Sequence, residues 1–287
     1  MHSLGNAARP VTVRDRSQVT VRYRSAPRTS PALAYAGVVL VLTLVAPVFA
    51  TNCYVVAPAP GRECVIVDVG AGVADDVHAA VAAHDLTPVS VLATHGHVDH
   101  TWGAAEVCSH YDVPLRIHEA DAYRLADPFG TLGGGQLVVA LEQLGLLAAD
   151  YRAPERIEPV STDHRGLSRL ELAELPWTWL HAPGHTQGAS LLSVPRAPSS
   201  ASDLLLGEGW PRELAPSRTV FSGDVLFAGT VGRTDLPGGD DAEMAATLAD
   251  PVGTLAPDVL VLPGHGPATR MDVEYRRNPF LTAPDVL

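Results

Sequence analysis

The chain has 287 residues, 46% of them hydrophobic and 18% charged, so it can bury a substantial core and is not intrinsically disordered. Its formal net charge is −12 and it has no lysine, every basic side chain being an arginine; that balance argues against nucleic acid as a partner. Three cysteines without a CxxC pair (Cys53, Cys64 and Cys108) argue against a disulfide framework and for reduced, buried thiols.

In chain order, residues 1–31 are basic, with Arg9, Arg14, Arg16, Arg22, Arg24 and Arg28, and read as a loose extension. The apolar run PALAYAGVVLVLTLVAPVFA follows. It has the features of a secretory signal with Val48-Phe49-Ala50 as the cleavage site. The competing reading is a buried strand, because β-branched residues dominate Val38 to Val45. CYVVA (53–57) and CVIVDVG (64–70) read as strands joined by the turn PAPG. VADDVHAAVAAHD, from Val73, reads as a helix. VSVLAT (89–94) is a strand running into THGHVDH (94–100), TWGAAEVCSHY (101–111) a helix, and VPLRI (113–117) a strand. The first half is thus β-β-β-α-β-α-β.

The middle is irregular, with GTLGGGQ (130–136) a candidate lid. ELPWTWLHAPGHT is a strand emptying into a loop, and ASLLSV (189–194) is another strand. Residues 195–218, punctuated by Pro, Ser and Gly, read as a surface insertion. TVFSGDVLF (219–227) and DVLVLPGHG (258–266) are strands ending in loops, with a helix over Asp241 to Leu255 between them. Four strands therefore end in glycine-containing loops that carry metal-ligand residue types, the expected place for a site on a rigid scaffold.

His95 and His97 are separated by one residue, so in an extended segment both imidazoles face one way. Asp99 and His100 follow a turn and face away, which suits two neighbouring ions better than one. His185 and His265 can each add a nitrogen, and Asp224 has two oxygens with which to bridge. An open His/Asp set without cysteine points to a catalytic metal, not a closed structural zinc.

THGHVDH resembles the THxHxDH motif of the metallo-β-lactamase-fold hydrolases. APGHTQG resembles their second histidine loop, FSGDVLF their bridging-aspartate strand and PGHG their last histidine loop, in the family's order across residues 51–281. The resemblance implies an α/β (α+β) fold, a four-layer αββα sandwich with the site at one edge between two sheets, in a catalytic domain spanning 32–287. It implies two divalent ions, with zinc expected and iron and manganese as alternatives. His95, His97 and His185 would hold one, Asp99, His100 and His265 the other, and Asp224 would bridge. A strand precedes the family's TN.Y segment, here TNCYVV (51–56), which favours a strand over a signal at 38–45, and with it a cytoplasmic protein.

GDVLFAGTVGRTDLPGGD (223–240) and PGHGPATRMDVEYRRNPFL (263–281) resemble the short bacterial glyoxalase II-like branch, relatives of hydroxyacylglutathione hydrolase. That implies hydrolysis of a small-molecule thioester by metal-bound hydroxide. Asp99 and Asp224 would be the catalytic carboxylates, Asp99 orienting the nucleophile. The chain ends soon after His265, without the helical domain that holds glutathione in longer relatives, so another thiol carrier such as mycothiol is an alternative. Arg233, Arg276 and Arg277 are candidates for anionic substrate groups. Thr94 and Asp235 are expected to fix imidazole tautomers, and His118 and His181 to approach the site from strand ends. His2, His78, His84, His110 and His164 are left out of it. The rival activity is a mononuclear-iron persulfide dioxygenase of the same fold. A β-lactamase, a ribonuclease and a non-catalytic metal-binding module are less favoured, and neither nucleic acid nor membrane is expected as a partner.

Overall fold

The computed structural model describes residues 37–133, 136–143, 145, 150–199 and 216–283. The expected extension at 1–31 and most of the expected insertion at 195–218 lie outside these residues, as does part of the candidate lid. The apolar run forms strand β1 (Val38–Val45), antiparallel to β2 (Asn52–Ala57) over six residue pairs from Leu40–Ala57 to Val45–Asn52. After β3 (Glu63–Val67), helix α1 (Ala74–Ala83) crosses over to β4 (Thr87–Leu92), which runs parallel to β3. Helices α2 (Val98–Thr101) and α3 (Ala104–Tyr111) lead to β5 (Leu115–His118), parallel to β4. Helix α4 (Gln136–Gln143) precedes β6 (Ile157–Val160).

The second half begins with the hairpin β7 (Leu167–Leu172) and β8 (Leu175–His181), followed by β9 (Ser190–Val194) and the short β10 (Ala197–Pro198). Then come β11 (Thr219–Gly223), a small ribbon of β12 (Leu226–Phe227) and β13 (Thr230–Val231), and α5 (Asp241–Ala249). Strands β14 (Leu260–Pro263) and β15 (Thr269–Arg270) and helices α6 (Met271–Arg277) and α7 (Pro279–Thr282) complete it. One sheet has the order β10-β1-β2-β3-β4-β5-β6 and the other β15-β14-β11-β9-β8-β7.

Strand alternation sorts the apolar side chains into layers. Val39, Val41, Tyr54, Val56, Val65 and Val67 face the second sheet and meet Trp177, Trp179, Leu192, Phe221 and Leu262. Leu40, Leu42, Cys53, Val55 and Ile66 face the other way, beneath α1 and α3. On the far side of the second sheet, Leu191, Val220 and Val261 meet Met244 and Leu248 of α5 and Met271 of α6. Both sheets are therefore covered on both faces, and the layers run α, β, β, α. All three cysteines are free and buried.

Several elements were not expected from the sequence, among them α4, β6 and α6, and three others depart from it in ways with a clear local cause. The expected helix at 101–111 is split, because Gly103 packs its backbone against Val69 and Gly70, and the turn before it already begins at Val98. Helix α5 stops at Ala249, since Pro251 cannot continue the hydrogen-bond ladder; a 3-10 turn at Val252–Thr254 follows. The β7 strand was not expected. Its turn, Ala173-Glu174, has both residues at positive φ (51° and 57°), the geometry of a tight hairpin, without the usual Asn-Gly or Asp-Gly.

Candidate metal centre

The sheet directions explain why distant motifs meet. Strand β11 is parallel to β14, and β8 and β11 are both antiparallel to β9, so all three C-terminal ends lie at one edge. His185 follows β8, Asp224 follows β11 and His265 follows β14; β4 of the other sheet delivers His95 and His97 to the same edge. The helical turn at Val98 carries Asp99 and His100 to the His265 side of the cluster; contrary to the expectation that both face away from the pair, the His100 ring stays 4.2 Å from that of His95.

All seven expected ligands are brought together. His97 Nδ1 lies 3.2 Å from His95 Nε2 and 2.9 Å from His185 Nε2. His100 Nε2 lies 3.3 Å from His265 Nε2 and 3.2 Å from Asp224 Oδ1. Asp99 Oδ2 is 3.2 Å from His265 Nε2, and Asp224 Oδ2 lies 3.5 Å from His265 Nε2 and 3.7 Å from His185 Nε2. Among the described residues three groups have converging ligand atoms: His95/His97/His185, His95/His100/Asp224 and Asp99/His100/His265.

The outer nitrogens fix the tautomers. His185 Nδ1 donates to the carbonyl of Arg233 (2.7 Å) and His265 Nδ1 to that of Phe49 (3.2 Å). His100 Nδ1 donates to Asp68 Oδ2 (2.9 Å). Thr94 Oγ1 donates to Asp68 Oδ2 (2.8 Å), leaving its lone pair for His95 Nδ1 at 3.1 Å. Four Nε2 lone pairs therefore point at one another and at carboxylates across a buried gap. Neutral imidazoles so placed repel unless a cation lies between them. Asp224 Oδ1, buried with no hydrogen-bond donor, has the same need. Gly264 keeps this space open, since a Cβ there would collide with the Asp224 carboxylate and the His100 ring. The residues present fit a metal cluster.

Burial and then the surrounding imidazoles hold His95 well below the ordinary histidine range. Burial and then His185 push His97 down to about 3. Both are neutral near pH 7, as metal ligands must be. His100 differs: burial opposes a charge on it, but Asp224, Asp99 and Asp68 together outweigh that and raise its pKa, so a cation bound at its Nε2 would take the place of a proton there.

The other expectations fare unevenly. Thr94 supports His95 as expected, but Asp235 touches no imidazole. It is exposed and pairs with the guanidinium of Arg233 (2.5 and 2.6 Å), and the GRTD segment supports His185 through a backbone carbonyl instead. Arg233 lines a cavity of about 160 Å³ beside the cluster, along with Phe49, Val98, Leu132, Leu141 and Leu236. Arg276 and Arg277 do not line it; both are exposed on α6, with Arg276 bonded to Asp272. His118 and His181 stack on each other with ring centroids 4.1 Å apart. Neither lines the cavity, and His181 reaches the site only by bonding the carbonyl of Gln187 in the His185 loop.

Two supports were not singled out in the sequence. Asp68, in CVIVDVG, joins Thr94 and His100. Asn52, in TNCY, bonds the carbonyls of Pro263 and Gly266 (both 2.9 Å) and clamps the His265 loop, aided by Tyr54 Oη on Pro263 (2.7 Å). A polar residue at one end of an apolar strand run is the one signal each carried.

Residues 46–198 match the family described as the metallo-beta-lactamase superfamily. An uncharacterized protein of Mycobacterium tuberculosis is 36% identical over 81% of this chain and 93% of its own length. The chain belongs to the metallo-β-lactamase superfamily. Hydroxyacylglutathione hydrolase GloC of Haemophilus influenzae is 28% identical over 77% of this chain and 89% of its own. Among solved structures, the BLEG-1 B3 metallo-beta-lactamase is similar with a TM-score of 0.64 at 26% identity, over 85% of this chain and all of that one. TTHA1623, solved in a di-iron-bound form, is similar with a TM-score of 0.60 at 28% identity, over 83% of this chain and 99% of that one.

Proposed function

We propose that this metallohydrolase-family chain is a two-metal thioester hydrolase acting on an S-acyl derivative of a small thiol. The observation that carries the metal reading is the convergence of four capped histidines and His97, whose inward nitrogens form three overlapping groups with the carboxylates of Asp224 and Asp99. His95, His97 and His185 would hold one divalent cation, Asp99, His100 and His265 the other, and Asp224 both; the di-iron form of TTHA1623 supports a paired site of this kind. Zinc, iron and manganese all suit the donor set. When bound, the cations supply an acidified water and a Lewis acid for the carbonyl oxygen.

The chain's own residues do the rest. Asp99 lies where the cluster meets the cavity, its carboxylate facing His265 and His100, so it can hold the proton of an attacking water and orient it. Phe49, Val98, Leu132, Leu141 and Leu236 give the cavity an apolar wall that suits an acyl group and excludes bulk water. Arg233 is placed to meet an anionic group of the thiol carrier. A thiolate is weakly basic and leaves with little acid assistance, which fits a cavity offering no further acid among the described residues.

The likeness to hydroxyacylglutathione hydrolase supports the thioester over the persulfide reading. The test is release of free thiol from S-lactoyl and S-acyl derivatives of glutathione, mycothiol and coenzyme A, assayed without oxygen. Oxygen-independent release from at least one series is expected. Oxygen consumption on a glutathione persulfide, with no thioester cleaved, would overturn the proposal.

A further inference from the structure

Beneath the cluster lies a buried ion pair that no ligand motif contains. Asp121 and Arg124, in the 3-10 turn Glu119–Leu125 after β5, are both 0% exposed and bonded at 3.0 Å. Asp121 fills all four of its acceptor positions. Oδ2 accepts from the Gly96 amide (2.8 Å) and from Thr186 Oγ1 (2.7 Å). Oδ1 accepts from the Gly188 amide (2.8 Å) and from Arg124 Nε. Gly96 sits between His95 and His97, and Thr186 and Gly188 follow His185. One carboxylate thus joins the two loops that carry the first histidine group.

Arg124 extends the brace. Its Nη2 donates to the carbonyl of Pro237 (2.9 Å) and to Gln187 Oε1 (3.2 Å), tying in the GRTDLPGG loop whose Arg233 carbonyl caps His185. The glycine of THGHVDH follows from this contact: a Cβ at Gly96 would collide with the Arg124 side chain and the Asp121 carbonyl. The other histidine group is braced elsewhere, His100 by Asp68 and His265 by the Phe49 carbonyl and the Asn52 clamp. Among the described residues, no hydrogen bond of the Asp121 or Arg124 side chain reaches Asp99, His100 or the His265 loop.

From this separation we infer that Asp121 is a positioning residue for one of the two metal subsites, setting the spacing of His97 and His185 without supporting the subsite of Asp99, His100 and His265. The inference rests on the proposed reading of the cluster as a metal site. Its signature is selective loss of one ion, which a general loss of folding does not produce.

The test is loading of the wild-type chain, Asp121→Asn and Thr186→Val with Co(II), read by bound equivalents, visible absorption and chelator competition. Asparagine keeps the volume but turns an NH₂ toward donors. Valine removes one of the four bonds and leaves the carboxylate. Wild type is expected to bind two equivalents. Asp121→Asn should keep one as in wild type and bind the other about 10- to 100-fold more weakly; Thr186→Val should weaken the same ion by less. Adding His265→Ala to Asp121→Asn should remove the retained ion, assigning the sites. Wild-type affinity for both ions in Asp121→Asn overturns the proposal, as does equal weakening of both. If Asp121→Asn does not fold, Thr186→Val carries the test, and unchanged affinities there overturn it. Wild-type protein that takes up no Co(II) overturns the metal reading itself.

Discussion

Asp224 faces both halves of the cluster, Oδ1 toward His100 and Oδ2 toward His185 and His265. Removing it leaves the converging nitrogens with no shared anion. Asp224→Ala should lose bound metal and lower thioester turnover by about 10²-fold or more, measured by metal content and thiol release; full activity would refute its role. His118 makes a different prediction. Burial, then charge repulsion from the neighbouring His181 imidazole, pushes its pKa down to about 4 from an ordinary 6.5. As pH falls below 6.5 the unfolded chain takes up a proton there that the folded chain refuses until about 4. The stability held by neutral His118 is therefore complete above pH 6.5 and drains between 6.5 and 4. His118→Gln should flatten the fall in melting temperature across that window. An unchanged slope would place the acid sensitivity in other groups.

Strand β1 buries five aliphatic side chains, Val39, Leu40, Val41, Leu42 and Leu44, on two faces. At roughly 1.5–3 kcal/mol each, their burial is comparable to the whole stability of an ordinary domain. A chain starting at Thr51 should therefore fail to fold, seen as loss of cooperative unfolding by circular dichroism; a soluble, cooperative product would contradict this. Similarly, Trp177→Ala, between the sheets, should cost about 3–5 kcal/mol in urea denaturation. Much at this scale was legible in the sequence. The strands feeding the site announce themselves because apolar β-branched runs end in Gly and His. The β7 strand did not, because its residues are half-exposed and its turn is Ala-Glu. The seven candidate ligands could be singled out because so dense a His/Asp pattern serves no packing purpose, and the fold brings them together. Asp68, Asn52 and Asp121 were not, because a lone polar residue beside a strand gives no sign of which distant loop it will bond.

At the scale of the molecule, two sheets covered on both faces make a rigid sandwich, and loops at one edge place seven candidate metal ligands, a small cavity with an apolar wall and one arginine together. Among the described residues, no helix is long and apolar enough to cross a membrane. The sandwich is common to the superfamily and does not choose the reaction; the number of ions it holds does much to narrow it. Metal content per chain, measured by mass spectrometry on protein purified without added metal, tests this most directly. About two divalent ions per chain are expected, lost together with thioester hydrolysis on chelation and regained together on reloading. A single iron per chain, with persulfide oxidised and thioesters untouched, would contradict it.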